Sequence, residues 1–347
     1  MVKPGDLKVA VKVGIPRALF YYTYYPLWQT FLEKLGAEVV YSRPTNKEIL
    51  DAGISETVSD ACIPIKLFHG HVLDLKDRVD FLWIPRLISP GGSVTYCPKF
   101  LGLPDMIRYS GMKLPPLIDG RLSLRGLPGG LYRFLRAAAA SLGFNNLLAQ
   151  QKALTLAFRK YRRYQRLLLE GVLPQAAFQE PPRGRLEALK PGQTGVAKLP
   201  PRSGLTVALL GYPYTVYDSF ISSDVYQKLL NMGASVITTE QIPRRELLRM
   251  SRVLPQNCFW HYSNRVCWSG LSVLGQRAVD GIIHITAFGC GPDAMVDKIL
   301  ELESKKTRIP FLTLTIDEHT GDGGVQTRIE AFIDMLQAIK EKNVREA

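Results

Sequence analysis

The chain has 347 residues, 46% hydrophobic and 22% charged, an ordinary globular composition that excludes wholesale disorder. That length is long for one domain and comfortable for two. The net charge is +13, but the 15 basic and 3 acidic residues from Arg121 to Arg202 supply +12 of it, which leaves a nearly neutral body and excludes a chain-wide nucleic-acid footprint. The opening, MVKPGDLKVAVKVGIPR, has no apolar run followed by small residues, so no secretion signal is read there. No stretch approaches the ~18–20 uninterrupted apolar residues of a membrane span. The best candidate, Phe134 to Leu148, is broken by Arg136, Asn145 and Asn146. A cytoplasmic location is expected. Five cysteines, an odd number, argue against a disulfide framework. The absence of CxxC, GxxxxGK[ST] and GxGxxG leaves no zinc ribbon, P-loop or dinucleotide fingerprint.

Two stretches resemble each other. Lys8 to Tyr41 and Leu205 to Thr239 each begin with a β-branched run that reads as a buried strand. Each continues with Gly, one residue and Pro, at Gly14-Ile15-Pro16 and Gly211-Tyr212-Pro213. A tyrosine-rich loop is expected next, then an amphipathic helix closed by a cap at Gly36 or Gly233. Second strands are expected over Glu38 to Tyr41 and Ser235 to Thr238, and short helices over Asn46 to Ala52 and Arg244 to Met250. Buried parallel strands follow at FLWIP and GIIHIT, each opened by Val-Asp. This pattern predicts an α/β protein with two Rossmann-like parallel-sheet domains, residues 1–113 and 204–347, related by internal duplication. Any two Rossmann-like halves share part of this likeness. The matched Gly-x-Pro and Gly-Ala-x-Val positions favour duplication. Residues 114–203 read as a basic helical insert, helix-like from Tyr132 to Gly171, with an exposed Pro-rich linker from Pro174 to Pro201. A strand over Phe311 to Ile316 and a final helix from Gly323 to Lys342 end the chain.

Chemistry is signalled by the neighbours of three cysteines. Cys62-Ile63-Pro64, Cys97-Pro98 and Cys290-Gly291-Pro292 each place Pro one or two residues after Cys, and Pro is favoured in the first turn of a helix. Helix-like runs follow over Ile65 to Leu75, Asp105 to Tyr109 and Ala294 to Leu302. Cys97 and Cys290 also follow predicted strands, which puts them at the edge where parallel sheets bind ligands. Helix N-termini favour negative charge and lower thiol pKa values, and converging thiolates suit a metal cluster. The spacings, 35 and 193 residues, match no generic ligand motif. Buried cysteine is also an ordinary core residue, so both readings stay open on spacing. Cys258 and Cys267 lack the Pro context. Cys258 precedes the aromatic run Phe259-Trp260-His261-Tyr262, and Cys267 falls on a helical packing face.

Longer motifs carry a resemblance. Gly14-Ile15-Pro16-Arg17-Ala18-Leu19 with Tyr25-Pro26-Leu27-Trp28, Ser59-Asp60-Ala61-Cys62-Ile63-Pro64-Ile65-Lys66, and His69-Gly70-His71-Val72 are similar to the acyl-CoA dehydratase activase-related family. So are Phe288-Gly289-Cys290-Gly291-Pro292-Asp293, Thr315 to Gly321, and Gln326 to Phe332. The family is distantly similar to the iron-sulfur subunits of 2-hydroxyacyl-CoA dehydratases and benzoyl-CoA reductases. The resemblance implies two Rossmann-like domains with three cysteines holding a [4Fe-4S] cluster between them, one iron being open or capped by a non-cysteine ligand. Related members carry a double cubane; three matching cysteines favour the single form. Cys62, Cys97 and Cys290 fall on the family's cysteine positions. The resemblance also implies an activator ATPase of the actin-like sugar-kinase fold as partner. No ATPase domain is recognisable here, so an ATP-driven step is expected to need a separate protein.

The resulting expectations are specific. Cys62, Cys97 and Cys290 are the candidate metal ligands, and Gly289, Gly291 and Gly321 the candidate cofactor-binding positions. Lys66, Glu318 and His319 are the candidate catalytic residues, with Asp317 in the same turn. Arg328 is a further candidate for an anionic substrate. His69 and His71, two apart, face different sides of a helix and read more simply as structural. The tyrosines 21, 22, 24 and 25 either wall the cleft or pack between domains. Three functions compete: a redox enzyme acting on a small substrate such as an acyl-CoA, a non-catalytic electron carrier for an activator ATPase, and a cluster-free, two-lobed binder of a small anion. Two chains could also pair. The basic insert, notably Arg159, Arg162, Arg163 and Arg166, reads as a solvated face or as a dock for an acidic partner, with nucleic acid third.

Overall fold

The computed structural model describes residues 10–124, 129–178, 204–254 and 257–346. The first part runs β1 (Lys12–Ile15), α1 (Tyr21–Leu35), β2 (Glu38–Tyr41), α2 (Lys47–Ser55), α3 (Ile63–Leu75) and β3 (Phe81–Trp83). It continues through β4 (Arg86–Ser89), α4 (Pro98–Arg108), β5 (Leu117–Ile118) and β6 (Arg121–Ser123). Three helices follow, α5 (Gly130–Ser141), α6 (Leu147–Leu169) and α7 (Pro174–Phe178). The last part runs β7 (Thr206–Gly211), α8 (Pro213–Val216), α9 (Val225–Asn231), β8 (Ser235–Thr238), a 3-10 turn over Thr239–Gln241, and α10 (Arg244–Met250). α11 (His261–Gly275), β9 (Gly281–Ala287), α12 (Gly291–Thr307), β10 (Phe311–Ile316) and α13 (Asp322–Glu346) complete it.

The expected α/β architecture with parallel sheets is present. One all-parallel sheet has the order β2-β1-β3-β5, and the other has the order β10-β9-β7-β8. In both, the first strand lies between the second and the third. β4 and β6 pair separately, also in parallel. Every residue of β7 and β9 is buried, which is why these strands read as continuous apolar runs. One contiguous core joins residues of both sheets with α5 and α6. Among the described residues, no helix is long and apolar enough to cross a membrane.

Several local expectations are corrected. The tyrosines 21, 22, 24 and 25 lie inside α1, not in a loop. Pro26 sits within that helix and has no N–H to give the Tyr22 carbonyl four residues back. The Tyr164 hydroxyl of α6 donates to that carbonyl instead, so the helix continues through the proline. α4 begins at Pro98, directly after Cys97, rather than at Asp105. The helix expected over Tyr132 to Gly171 is two helices, separated at Gly143 (φ 81°) and restarted by the Asn146 side chain accepting from the Ala149 N–H. The expected linker opens instead with α7, where Ala177 is buried and Gln175 donates to the Tyr217 carbonyl at 2.8 Å. From residue 179 to 203 that stretch lies outside the described residues.

Two packing features position the site, one within the first part and one between the two parts. α2 and α3 cross with backbones in contact at Gly53 and Gly70. A Cβ on Gly53 would lie 1.9 Å from the Lys66 carbonyl oxygen, and one on Gly70 would lie 1.8 Å from that of Ile49. Asp218, in the turn after α8, is buried and takes hydroxyl hydrogen bonds from Tyr22 and Thr45 of the first part. Its other oxygen accepts the backbone N–H groups of Phe220 and Ile221 at 3.1 and 3.2 Å.

Candidate functional site

Three helices begin at cysteines. Cys62 caps α3, Cys97 caps α4 and Cys290 caps α12, and each helix has Pro in its first turn. Proline suits that place because the first helical N–H groups lack intrahelical acceptors anyway. Cys290 follows the carboxyl end of β9, and its N–H bonds the Ala287 carbonyl at 3.0 Å. Gly289 supplies the turn with φ +74°, a left-handed conformation that favours glycine. A Cβ there would lie 3.9 Å from the Asp60 carbonyl oxygen, so the loops before Cys62 and before Cys290 are neighbours.

All three cysteines line one narrow cleft between the two sheets' parts, with Lys99, Phe100, Tyr212, Tyr214, Trp260 and Tyr262 among its other walls. The cleft has a cavity volume of about 30 Å³ at the width of a water molecule. The rings of Phe100, Tyr214 and Tyr262 meet at centroid distances of 5.6 to 6.0 Å and form an aromatic wall beside the three half-buried cysteines. Tyr212 hydrogen-bonds Ser263 Oγ at 2.7 Å, and burial, Asp293 and Cys290 raise its pKa. The Lys99 ammonium lies 3.7 Å from Cys62 Sγ.

The electrostatics correct one expectation. Burial raises the Cys97 thiol, and Cys62 adds to this, while the Lys99 N–H works the other way. Burial and the Asp293 carboxylate push Cys290 up to about 12, and the other two thiols add to it. Desolvation therefore outweighs the helix N-termini for these two thiols. Thiols that repel one another as thiolates are stabilised in that form by a cation among them.

The donor set can be tested against two kinds of group. Among the described residues, no three His, Cys, Asp or Glu side chains converge tightly enough for a single metal ion. Three soft thiols from three helix ends, a nearby ammonium and an aromatic wall fit a thiolate-held iron-sulfur cluster, which is larger than one ion.

The remaining candidates divide. Lys66, one turn along α3 from Cys62, is buried and forms an ion pair with Glu318 in the turn after β10. That ammonium holds the Glu318 carboxyl below the usual range. The pair lies beside the cleft and not in its lining. His319 is exposed on the same turn, and its N–H donates to Asp317 Oδ1 at 2.9 Å. A Cβ on Gly291 or Gly321 would meet nothing within 4 Å, so neither is glycine because of protein crowding. Arg328 donates to the Thr313 carbonyl. His69 and His71 are buried against the Ile65 carbonyl and Thr45 Oγ1, both at 3.0 Å, and burial lowers both pKa values. The tyrosines of α1 do not line the cleft; Tyr212, Tyr214 and Tyr262 do.

Sequence reasoning missed a network behind Cys290. His284, in the middle of β9, is fully buried; its Nδ1 bonds Asp297 at 2.7 Å, and its Nε2 faces Asp293 at 3.3 Å. Thr313 donates to the same Asp297 oxygen at 2.8 Å. Burial opposes the charged imidazole, but the two carboxylates outweigh it and lift His284 to about 9. A single histidine in an apolar run gave no sign of this. Lys99, two residues after Cys97, was the more visible omission.

Comparison with known proteins follows the geometry. Residues 12–242 match the CoA enzyme activase uncharacterised domain (DUF2229), and residues 235–336 match the 2-hydroxyglutaryl-CoA dehydratase D-component. No curated protein is similar enough to count as a match. A solved structure described as a sugar binding protein, from Salmonella typhimurium LT2, aligns with 95% of this chain and 88% of its own. Its identity is 10% and its TM-score 0.23, too weak a likeness to carry any argument. The first match spans well over half of the 347 residues, as the sequence motifs led us to expect, and the chain belongs to the CoA enzyme activase domain family.

Proposed function

We propose that this protein is the iron-sulfur component of an acyl-CoA dehydratase-type system, with Cys62, Cys97 and Cys290 as ligands of one [4Fe-4S] cluster. The observation that carries the reading is that three cysteines, each capping a helix with Pro in its first turn, line one cleft. The dehydratase D-component match supports it. When bound, such a cluster supplies one-electron storage at low potential. The chain's own residues then have separable tasks. The three thiols give up their protons and act as ligands. Lys99 offsets negative charge near Cys62, and the aromatic wall excludes water. Gly289 lets Cys290 turn into the cleft, and Gly291 and Gly321, uncrowded by protein, are the proposed open-backbone positions. Lys66 and Glu318 tie α3 to the turn after β10, and with His319 they are the proposed proton-handling groups. Three cysteine ligands leave one iron without a cysteine.

The partner in this reading is an ATP-dependent activator that delivers the electron, docked on the basic face of α6. Arg159, Arg162, Arg163 and Arg166 are exposed there along one surface groove. The narrowness of the cleft favours a second reading, in which the chain passes electrons on without turning over a substrate. The reading also takes 1–113 and 204–347 as duplicated domains with 114–203 inserted. The shared strand order supports the duplication, although β5, the fourth strand of the first sheet, lies past residue 113, and the single α1 opposite the split α8 and α9 marks where the halves differ.

Iron and acid-labile sulfide are to be measured in protein prepared without oxygen, beside its visible spectrum. Four irons per chain are expected, with loss of most of them in Cys62→Ser, Cys97→Ser and Cys290→Ser and little change in Cys267→Ser. Protein that folds normally yet holds no iron or sulfide after anaerobic reconstitution ends this proposal.

A further inference from the structure

The two remaining cysteines are not isolated. Cys258 lies in the segment before α11 and Cys267 lies within that helix, and each thiol is the largest influence on the other's pKa. Independent contacts hold them together. The Cys258 carbonyl accepts from Asn264 Nδ2 at 2.7 Å, and Asn257 Oδ1 accepts from Trp268 Nε1 at 2.9 Å. Asn257 Nδ2 in turn donates to the Ser251 carbonyl at 2.8 Å. The segment is therefore stapled to α11 on either side of the thiol pair. Cys258 is half-buried and Cys267 is fully buried, so one sulfur of the pair is reachable and the other is not. No third His, Cys, Asp or Glu joins them to make a metal site among the described residues.

We propose that Cys258 and Cys267 are a thiol-disulfide exchange site, distinct from the three-cysteine cleft, that is oxidised by small disulfides and reduced by small dithiols. Cys258 is the attacking sulfur. Its thiolate attacks one sulfur of the small disulfide, the old S–S bond breaks, and one small thiolate leaves. Cys267 then loses its proton and attacks Cys258 Sγ, and the second small thiolate leaves. Two protein sulfurs are oxidised, the two sulfurs of the reagent are reduced, and the thiol protons pass to the leaving groups or to water.

The order of attack follows from surroundings as well as reach. The Cys267 thiol brings Cys258 down to about 7, against burial and the charge of Asp293. Cys258 in turn, with burial and Glu303, pushes Cys267 up. An attacking thiol near ambient pH combines thiolate fraction with nucleophilicity. Once Cys258 carries a neutral mixed disulfide, the anion facing Cys267 is gone and its proton is easier to lose. Cys97 and Cys290 are half-buried like Cys258, but their pKa values are shifted upward, which disfavours the same reaction there.

The test uses the full chain, purified without oxygen and treated near neutral pH with 2-hydroxyethyl disulfide. Remaining thiols are alkylated, and the unreduced protein is digested and mapped by mass. The expected product is one cross-link, Cys258 to Cys267, removed by dithiothreitol. Cys267→Ser is expected to stop at a mixed disulfide on Cys258, and Cys258→Ser to slow thiol release about tenfold or more. Alkylation of both residues in the treated wild-type protein would overturn the proposal. So would Cys258 linked to a cleft cysteine. The wild-type map decides without any variant, and it does so whether or not the chain holds a cluster.

Discussion

The two parallel-sheet parts hold their cysteines by different means. In the first part, α3 is held by backbone contact with α2 at Gly53 and Gly70, and α4 is tied to β4 by the forked Arg86–Asp105 pair. In the second part, α12 is anchored by charge, through Asp293 and Asp297 on either side of His284. At Gly281 the glycine contact is softer than at Gly53 or Gly70, since a Cβ there would meet side-chain atoms of Leu336 and Phe332 at 2.8 to 3.0 Å. A cleft built from both parts thus combines a steric anchor with an ionic one, and each fails under its own conditions.

The largest expected effect separates the anchors by size alone. Gly70→Ala gains about 1 kcal/mol of helix propensity but drives a methyl into the Ile49 carbonyl, and a net loss of about 3 kcal/mol is expected. Gly281→Ala is expected to cost about 1 kcal/mol, because Leu336 can move. Urea midpoints for the two variants check this, and equal losses would erase the contrast. The ionic anchor is expected to answer to pH. The folded pKa of His284 lies above its ordinary value, at about 9. Its contribution is therefore complete below about pH 6.5 and is lost as pH rises through 9, up to about 3 kcal/mol in all. His284→Asn is expected to flatten that slope, and Gly70→Ala to leave it unchanged; melting temperatures across this range decide. A smaller loss, about 2 kcal/mol, is expected for Asp218→Ala, which strands the hydroxyls of Tyr22 and Thr45 and two backbone donors. That variant joins the two parts less firmly without touching either anchor, so its pH slope is expected to match the wild type.

The legible features were those encoded locally. Cys-Pro and Cys-x-Pro announce helix starts because proline's missing N–H costs nothing there, although the runs expected from Ile65, Asp105 and Ala294 begin earlier, at Ile63, Pro98 and Gly291. Strand positions such as Glu38–Tyr41 and Ser235–Thr238 followed from β-branched runs between Gly caps. The tyrosines of α1 were expected in a loop, and the hydroxyl that lets the helix run through Pro26 comes from Tyr164, 142 residues away. The Lys66–Glu318 partnership spans 252 residues and leaves no local trace, although both residues stood out singly. Gly53 and Gly70 carry no signature beyond being glycine, since their reason is another backbone.

The buried Asp218 carboxylate has a mechanical consequence. Gaping the two parts straight apart would strip it of the Tyr22 and Thr45 hydroxyls while leaving it inside the protein, at a cost of about 1–3 kcal/mol for each lost partner. Twisting about an axis through that carboxylate preserves both bonds. Turning is opposed elsewhere, by the backbone bonds of Thr95 with Phe259 and His261 and by the Lys66–Glu318 pair, which also cross between the parts.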